Sequence, residues 1–170
     1  MTRLQFYEVD NAYIRFLSAV DSRVPRVNYS EQGRHPKFLC GIVLKVNDHD
    51  YFAPVSSFNK QVRSNIVIED AKGSPVASLR FSYMIPVPHS ALKVKNLGKE
   101  DPKYRNLLDI ELRYINRNVT AILTRAKYVY NSVVYKAMPE MVKICCDFKA
   151  LEAACAEYIK MHSADTMPSE

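Results

Sequence analysis

The chain has 170 residues with 48% apolar side chains and an ordinary charged fraction of 25%, which fits one globular domain and excludes a disordered polymer. Its formal net charge is +6 and its isoelectric point about 9.1, which favours an anionic partner. No apolar stretch approaches the ~20 residues needed to span a bilayer, and Met1 to Phe6 lacks the apolar run of a secretory leader, so a cytoplasmic location is expected. The four cysteines, Cys40, Cys145, Cys146 and Cys155, include an adjacent pair and no metal-binding spacing; reduced thiols are expected.

Taken in chain order, Phe6 and Tyr7 open as a short strand. Asp10 is placed to cap a helix on which Tyr13, Phe16, Leu17 and Val20 share a face. From Arg23 to Lys37 the sequence RVPRVNYSEQGRHPK carries four arginines and lysines against one glutamate, with the rings of Tyr29 and His35 interleaved. Such a loop suits phosphate contacts and base stacking, although a solvated surface loop has the same composition. Phe38 to Val46 is nearly continuous in apolar and β-branched residues, the pattern of a strand buried on both faces. Asn47-Asp48-His49 then turns the chain into Tyr51 to Val55, giving a hairpin whose second strand should end, or lie at an edge, at Pro54.

Asn65 to Glu69 reads as a further strand. Residues 78 to 83 alternate, with Leu79, Phe81 and Tyr83 on one face and Ser78, Arg80 and Ser82 on the other. Met84 to Pro88 continues extended, and Leu92 to Val94 adds a short strand. The pattern then becomes helical: Tyr104 to Asn116, Val119 to Ala137 with Pro139 as its stop, and a last helix capped by Asp147 with Phe148, Leu151, Cys155, Tyr158, Ile159 and His162 on one face. The expected architecture is a single α+β domain over residues 1–162, a mostly antiparallel sheet with additional C-terminal helices, followed by a polar tail over 163–170.

With four glycines in all, phosphate-cradling loops are largely excluded, and the four histidines (His35, His49, His89, His162) show no ligand spacing. The carboxylate pairs Asp48/Asp50 and Glu69/Asp70 sit at turn-like positions, and no metal or other cofactor is expected. What remains is a cluster of hydroxyls and cations at strand ends. Ser56 and Ser57 follow the Tyr51 strand, Asn59 and Lys60 lie just beyond, and antiparallel pairing brings Lys37 alongside. Such a set suits metal-free RNA cleavage, in which the ribose 2′-OH is the nucleophile and the protein aligns it, stabilises phosphate charge and assists proton transfer. The same serines could equally terminate a strand beside solvated lysines.

Along nearly its whole length the chain resembles the ToxN/AbiQ family of type III toxin–antitoxin endoribonucleases. The resemblance is carried by FYEVDNAYIRFL from Phe6, DSRVP from Asp21, PKFLCGIVL from Pro36, YFAPVSS from Tyr51, MIPV from Met84, YRNLLDIELRYINRN from Tyr104 and CDFKALE from Cys146. It implies a Kid/MazF-like barrel with added helices. The activity it implies is a metal-independent endoribonuclease that cuts A-rich single-stranded RNA, its own repeat antitoxin precursor included, and leaves a 2′,3′-cyclic phosphate. The implied partners are cellular or phage mRNA as substrate and a processed pseudoknot RNA that inhibits the toxin in a closed protein–RNA assembly, a device of phage defence by abortive infection or of plasmid maintenance.

Carried over position by position, the family's hydroxyl pair falls on Ser56 and Ser57, with Ser57 as the catalytic serine, and its lysine after proline on Lys37. Its second lysine aligns with Asn59, with Lys60 one residue further; Lys60 is assigned the role. The family tyrosine aligns with Gly33, so either Tyr29 or His35 supplies the proton-transfer group. Arg26, Arg34, Tyr29, Asn59, Arg80 and Tyr13 complete the expected RNA contacts. The alternative is a non-catalytic RNA-binding module, which needs the cations but not the hydroxyl pair.

Overall fold

The structure, a computed structural model, describes residues 3–25 and 40–165. Its elements are β1 (Tyr7–Val9), α1 (Asn11–Ser18), β2 (Gly41–Val46), β3 (His49–Ser56), β4 (Asn65–Glu69), β5 (Pro75–Arg80), β6 (Ile85–Pro86), β7 (Leu92–Val94), α2 (Pro102–Arg117), α3 (Val119–Val134), α4 (Pro139–Ile144) and α5 (Phe148–Asp165). The seven strands form one antiparallel sheet in the order β4-β5-β3-β2-β1-β7, with β6 also pairing with β3. Among the described residues no pairing joins β4 to β7, so the barrel expected from the family resemblance is replaced by an open sheet. Its edge strand β4 is packed by α2 and α3 rather than closed by another strand, the other means by which a sheet protects an edge.

The β2–β3 hairpin is the backbone of the fold. Asn47 and Asp48 both have positive φ, 47° and 72°, as a two-residue turn matched to strand twist requires. Register then runs from Val46↔His49 to Gly41↔Pro54. Pro54 does not end the strand; it meets the second of the two expected outcomes, a position with no ladder partner on one side among the described residues. The Val55 amide donates to the Cys40 carbonyl at 3.0 Å, so residue 54 faces away from β2. On that side β3 pairs with β6 at Tyr51 and Phe52 and with β5 at Val55 and Ser56, and the proline lies in the gap between them. Gly41 is required for close approach: a Cβ there would stand 2.3 Å from the Ala53 carbonyl oxygen.

Helical order differs from expectation in two places. Val20 lies beyond α1 and is 47% exposed. Pro139 does not stop α3, which already ends at Val134; it is the first residue of α4, where a missing amide proton costs no hydrogen bond. The expected caps are present. Asp10 accepts from the Ala12 amide at 3.0 Å, and Asp147 from the Ala150 amide at 3.1 Å. The last helix continues to Asp165, into the expected tail.

The core is sealed by aromatic packing. Tyr51, Tyr130 and Phe148 stand with ring centroids 5.5–5.8 Å apart. Both tyrosine hydroxyls donate to the buried Glu152 of α5, at 3.2 Å and 2.8 Å. All four cysteines are free and buried; burial pushes the Cys40 and Cys145 thiols up to about 12, so neither is a nucleophile at neutral pH.

A second buried carboxylate is less well provided for. Glu111 of α2 is 4% exposed, its Oε2 has no hydrogen-bond partner among the described residues, and burial raises its pKa from 4.5 to about 7. Between those two values the folded protein holds a proton that the unfolded chain has released, so this group lowers stability as pH rises, with the full penalty above 7. Glu111→Gln is expected to match wild type near pH 4.5 and to gain up to ~3 kcal/mol on it above pH 7. Thermal melts of both proteins at pH 5 and pH 8 check this; an equal difference at the two pH values contradicts it.

Candidate active site

The end of β3 and the loop after it build the site. Ser56 pairs with Ser78 across the β3–β5 ladder, and its Oγ accepts from the Phe58 amide at 3.2 Å. That local turn bends the chain out of the sheet directly at Ser57, which is exposed. Alternation puts Ser56, Ser78 and Arg80 on one face of the sheet. The Arg80 guanidinium lies 4.4 Å over the Phe58 ring and 5.2 Å from the Tyr83 ring centroid, in the range of cation–π attraction. Among the described residues neither its Nε nor the Ser78 Oγ, both buried, has a hydrogen-bond partner. Two such orphaned polar atoms beside one another are uncommon in a folded interior and mark a place where stability has been given up.

The alternating stretch read from the sequence stops at Arg80. Phe81 to Tyr83 form a 3-10 turn, with the Phe81 amide donating to the Ser64 carbonyl at 3.0 Å. Ser82 is therefore buried and off the strand, and does not share the polar face of Arg80.

Asn65 holds the loop in place. This fully buried side chain donates to the Lys60 carbonyl at 2.9 Å and accepts from the Val62 amide and the Gln61 side chain, each at 2.9 Å. Gln61 in turn accepts from the Val67 amide at 3.1 Å. The backbone at Lys60 is thus fixed while its side chain remains exposed, and Asn59 donates to the Pro75 carbonyl at 3.4 Å. The sequence reading missed Asn65; the available signal was a polar, turn-forming residue opening an otherwise apolar strand.

Of the expected site residues, Ser56, Ser57, Asn59, Lys60 and Arg80 come together at this end of the sheet. Lys37, His35, Tyr29, Arg26 and Arg34 lie outside the described residues. Tyr13 is a correction. Its ring is fully buried, packed 4.8 Å from Tyr158, and its hydroxyl donates to the Pro86 carbonyl, so it serves the core and offers no surface to RNA. The histidines that looked scattered also converge. His49, His89 and His162 line a cavity of about 520 Å³ at the opposite end of β3 from Ser57. Two of them are engaged by carboxylates, His49 by Glu152 at 3.4 Å and His89 by Asp50 at 3.3 Å. Among the described residues no group of histidine, cysteine and carboxylate side chains is arranged to hold a metal ion.

The loop's order rests on one side chain, which makes it testable. Asn65→Ala leaves two backbone groups, the Lys60 carbonyl and the Val62 amide, without their partner and is expected to cost about 1–3 kcal/mol for each group left dry. The loop should then become a preferred site of limited proteolysis, while Asn59→Ala, which loses one long hydrogen bond, should cost well under 1 kcal/mol. Equal proteolysis of the two variants contradicts this account.

Comparison with known proteins places the architecture. The family model described as toxin ToxN, type III toxin–antitoxin system, matches residues 5–156. The chain is 30% identical to the endoribonuclease ToxN of Bacillus thuringiensis subsp. kurstaki over 91% of this chain and 84% of that one. It is 31% identical to the endoribonuclease AbiQ of Lactococcus lactis subsp. lactis, over 92% and 90%. Among solved structures, AbiQ, a lactococcal anti-phage endoribonuclease of the type III systems, superposes with a TM-score of 0.79 at 27% identity, covering 94% of this chain and 99% of that one. A type III toxin studied for its selective inhibition by a non-coding RNA pseudoknot gives a TM-score of 0.79 at 26% identity, over 92% and 98%. With a family model covering most of the chain and relatives at 30% and 31% identity, this protein belongs to the ToxN toxin family of type III toxin–antitoxin systems.

Proposed function

We propose that this chain is the endoribonuclease toxin of a type III toxin–antitoxin pair, acting in the cytoplasm on A-rich single-stranded RNA. The observation that carries the reading is Ser57, exposed where β3 leaves the sheet, beside the orphaned polar atoms of Ser78 and Arg80, in a chain of this family. Among the described residues no helix is long and apolar enough to cross a membrane.

In the proposed reaction the ribose 2′-oxygen attacks the adjacent phosphorus and the bond from phosphorus to the 5′-oxygen breaks. The 2′-hydroxyl proton passes to a base, a proton is delivered to the departing 5′-oxygen, and a 2′,3′-cyclic phosphate remains. Ser57, with Ser56, supplies hydroxyls to the phosphate oxygens. Lys37, Lys60 and Arg80 supply positive charge where the pentacoordinate phosphate accumulates negative charge. Tyr29 or His35 handles the proton, and Arg26, Arg34 and Asn59 hold the flanking strand. The natural inhibitor is a processed pseudoknot RNA cut by the toxin from its repeat precursor and bound in a closed protein–RNA assembly; the other substrates are cellular or phage mRNAs.

Expressed in a bacterial host without its antitoxin, the wild-type chain is expected to arrest growth and Ser57→Ala to permit it. One lost transition-state hydrogen bond costs about 10²–10³ in rate. A purified Ser57→Ala protein that folds and cleaves RNA at near wild-type rate refutes the assignment. If neither protein cleaves but both bind RNA, a binding module is the correct reading. Cleavage should also persist in excess EDTA, because the 2′-OH attack needs no Lewis acid. Activity lost in EDTA and restored by magnesium on an unstructured RNA is the contrary result.

A further inference from the structure

A second cavity opens beside the edge strand β4, next to the point where the loop that begins at Ser57 enters that strand. It has a volume of about 480 Å³ and is lined by Ile66 of the edge strand β4 and by Ala121, Thr124, Arg125 and Tyr128 along one face of α3. Ala121 and Thr124 are exposed at its mouth. The Arg125 guanidinium lies 5.9 Å from the Tyr128 ring centroid and donates to the Arg63 carbonyl at 3.2 Å. Arg63 belongs to the loop that begins at Ser57, so one arginine side chain joins the cavity to the candidate active site. Its own guanidinium meets Glu140 at 3.2 Å in a pair more than half exposed on both sides, a contact of little energetic weight. Among the described residues no carboxylate stands within ion-pair distance of Arg125.

These features together define a ligand chemistry. A cavity of this size accommodates one planar group. Tyr128 offers an aromatic face, Arg125 an uncompensated cation beside it, and the wall behind is apolar. A nucleobase stacked on tyrosine, with its phosphate against an arginine, satisfies all three. We propose that this cavity is a nucleotide subsite, taking one base of the single-stranded RNA that flanks the scissile phosphate. The inference rests on the functional reading above and adds to it a path. From Ser57 the strand passes Lys60 and Arg63 along the loop and places a base between α3 and β4. Stacking of this kind tolerates any base, so the subsite contributes affinity and register without selecting a sequence.

The test measures binding of an adenine-rich single-stranded oligoribonucleotide to the full-length Ser57→Ala protein across a salt series. Adding Tyr128→Ala is expected to weaken binding by about 5- to 100-fold with an unchanged salt slope, and Tyr128→Phe, which keeps the ring, to bind like the parent. Adding Arg125→Ala should reduce the slope of log Kd against log salt by about 0.7, the share of one phosphate contact. Lys99→Ala, which removes an exposed charge elsewhere, should leave the slope as it was. With Ser57 intact, Tyr128→Ala should raise KM and spare kcat. Unchanged binding in both the Tyr128→Ala and Arg125→Ala proteins overturns the subsite. So does an equal slope change in Lys99→Ala, and so does a fall in kcat at constant KM, which would mean that α3 only braces the serine loop. A wild-type protein that neither binds nor cleaves the oligoribonucleotide overturns the functional reading itself, and the subsite with it.

Discussion

The register of the β2–β3 hairpin is the constraint on which the rest of the molecule depends. β3 is shared by β2, β5 and β6, so its position decides which residues face the core and where the chain leaves the sheet. A slip of one residue would turn Tyr51, which is fully buried, to the other face of the sheet and away from Tyr130 and Glu152, and would move Ser56 off Ser78. Register is set by a turn with no glycine. Asn and Asp are the non-glycine residues best suited to the left-handed conformation, since their short side chains can bond locally. Here Asn47 also donates to Asn131 of α3 at 3.2 Å, fastening the turn to the helical layer.

The two ends of β3 are treated differently. At the hairpin end, Glu152 accepts from Tyr51 and Tyr130 and meets His49 and Lys149 at 3.4 Å and 3.5 Å. A buried carboxylate with this many donors is satisfied and locks α5 against the sheet. At the serine end, Ser78 Oγ and Arg80 Nε are left without partners. Concentrating satisfied contacts at one end and unmet hydrogen-bonding capacity at the other is how a rigid scaffold can carry a site that is poised for a ligand. Arg80 shows the arrangement in one residue: two aromatic rings orient its guanidinium without neutralising it.

Much of the organisation is written in local pattern. The apolar run before Asn47 and the segment after His49 specify a hairpin, Asp10 and Asp147 mark helix starts, and the apolar stripe of Val119 to Val134 specifies α3. Ser56 and Ser57 are legible as a hydroxyl pair following a strand, and the ordered fragments that resemble the ToxN/AbiQ family carry the family assignment that the comparisons bear out. Periodicity misleads where its cause is shared by two structures. Phe81 to Tyr83 continue an alternating pattern in composition, yet the bond from the Phe81 amide to Ser64 turns them out of the strand. Pro139 reads as a terminator and Pro54 as a terminator or an edge residue, because a missing donor is a local fact while the side of the ladder it faces is not.

By itself, then, the sequence determined the elements, their hairpin pairing and the residue types available for chemistry, since these follow from interactions between near neighbours. Only the tertiary structure decided which distant residues meet. It kept Tyr13 in the core with the apolar face of its helix rather than among the RNA contacts assigned to it, and gathered three histidines into one cavity from separate segments. It also left the sheet open where a barrel was expected, and brought Asn65 back over the serine loop. Each of these turns on which partner satisfies a polar group or covers an apolar face, and that choice is made by the packing of the whole chain.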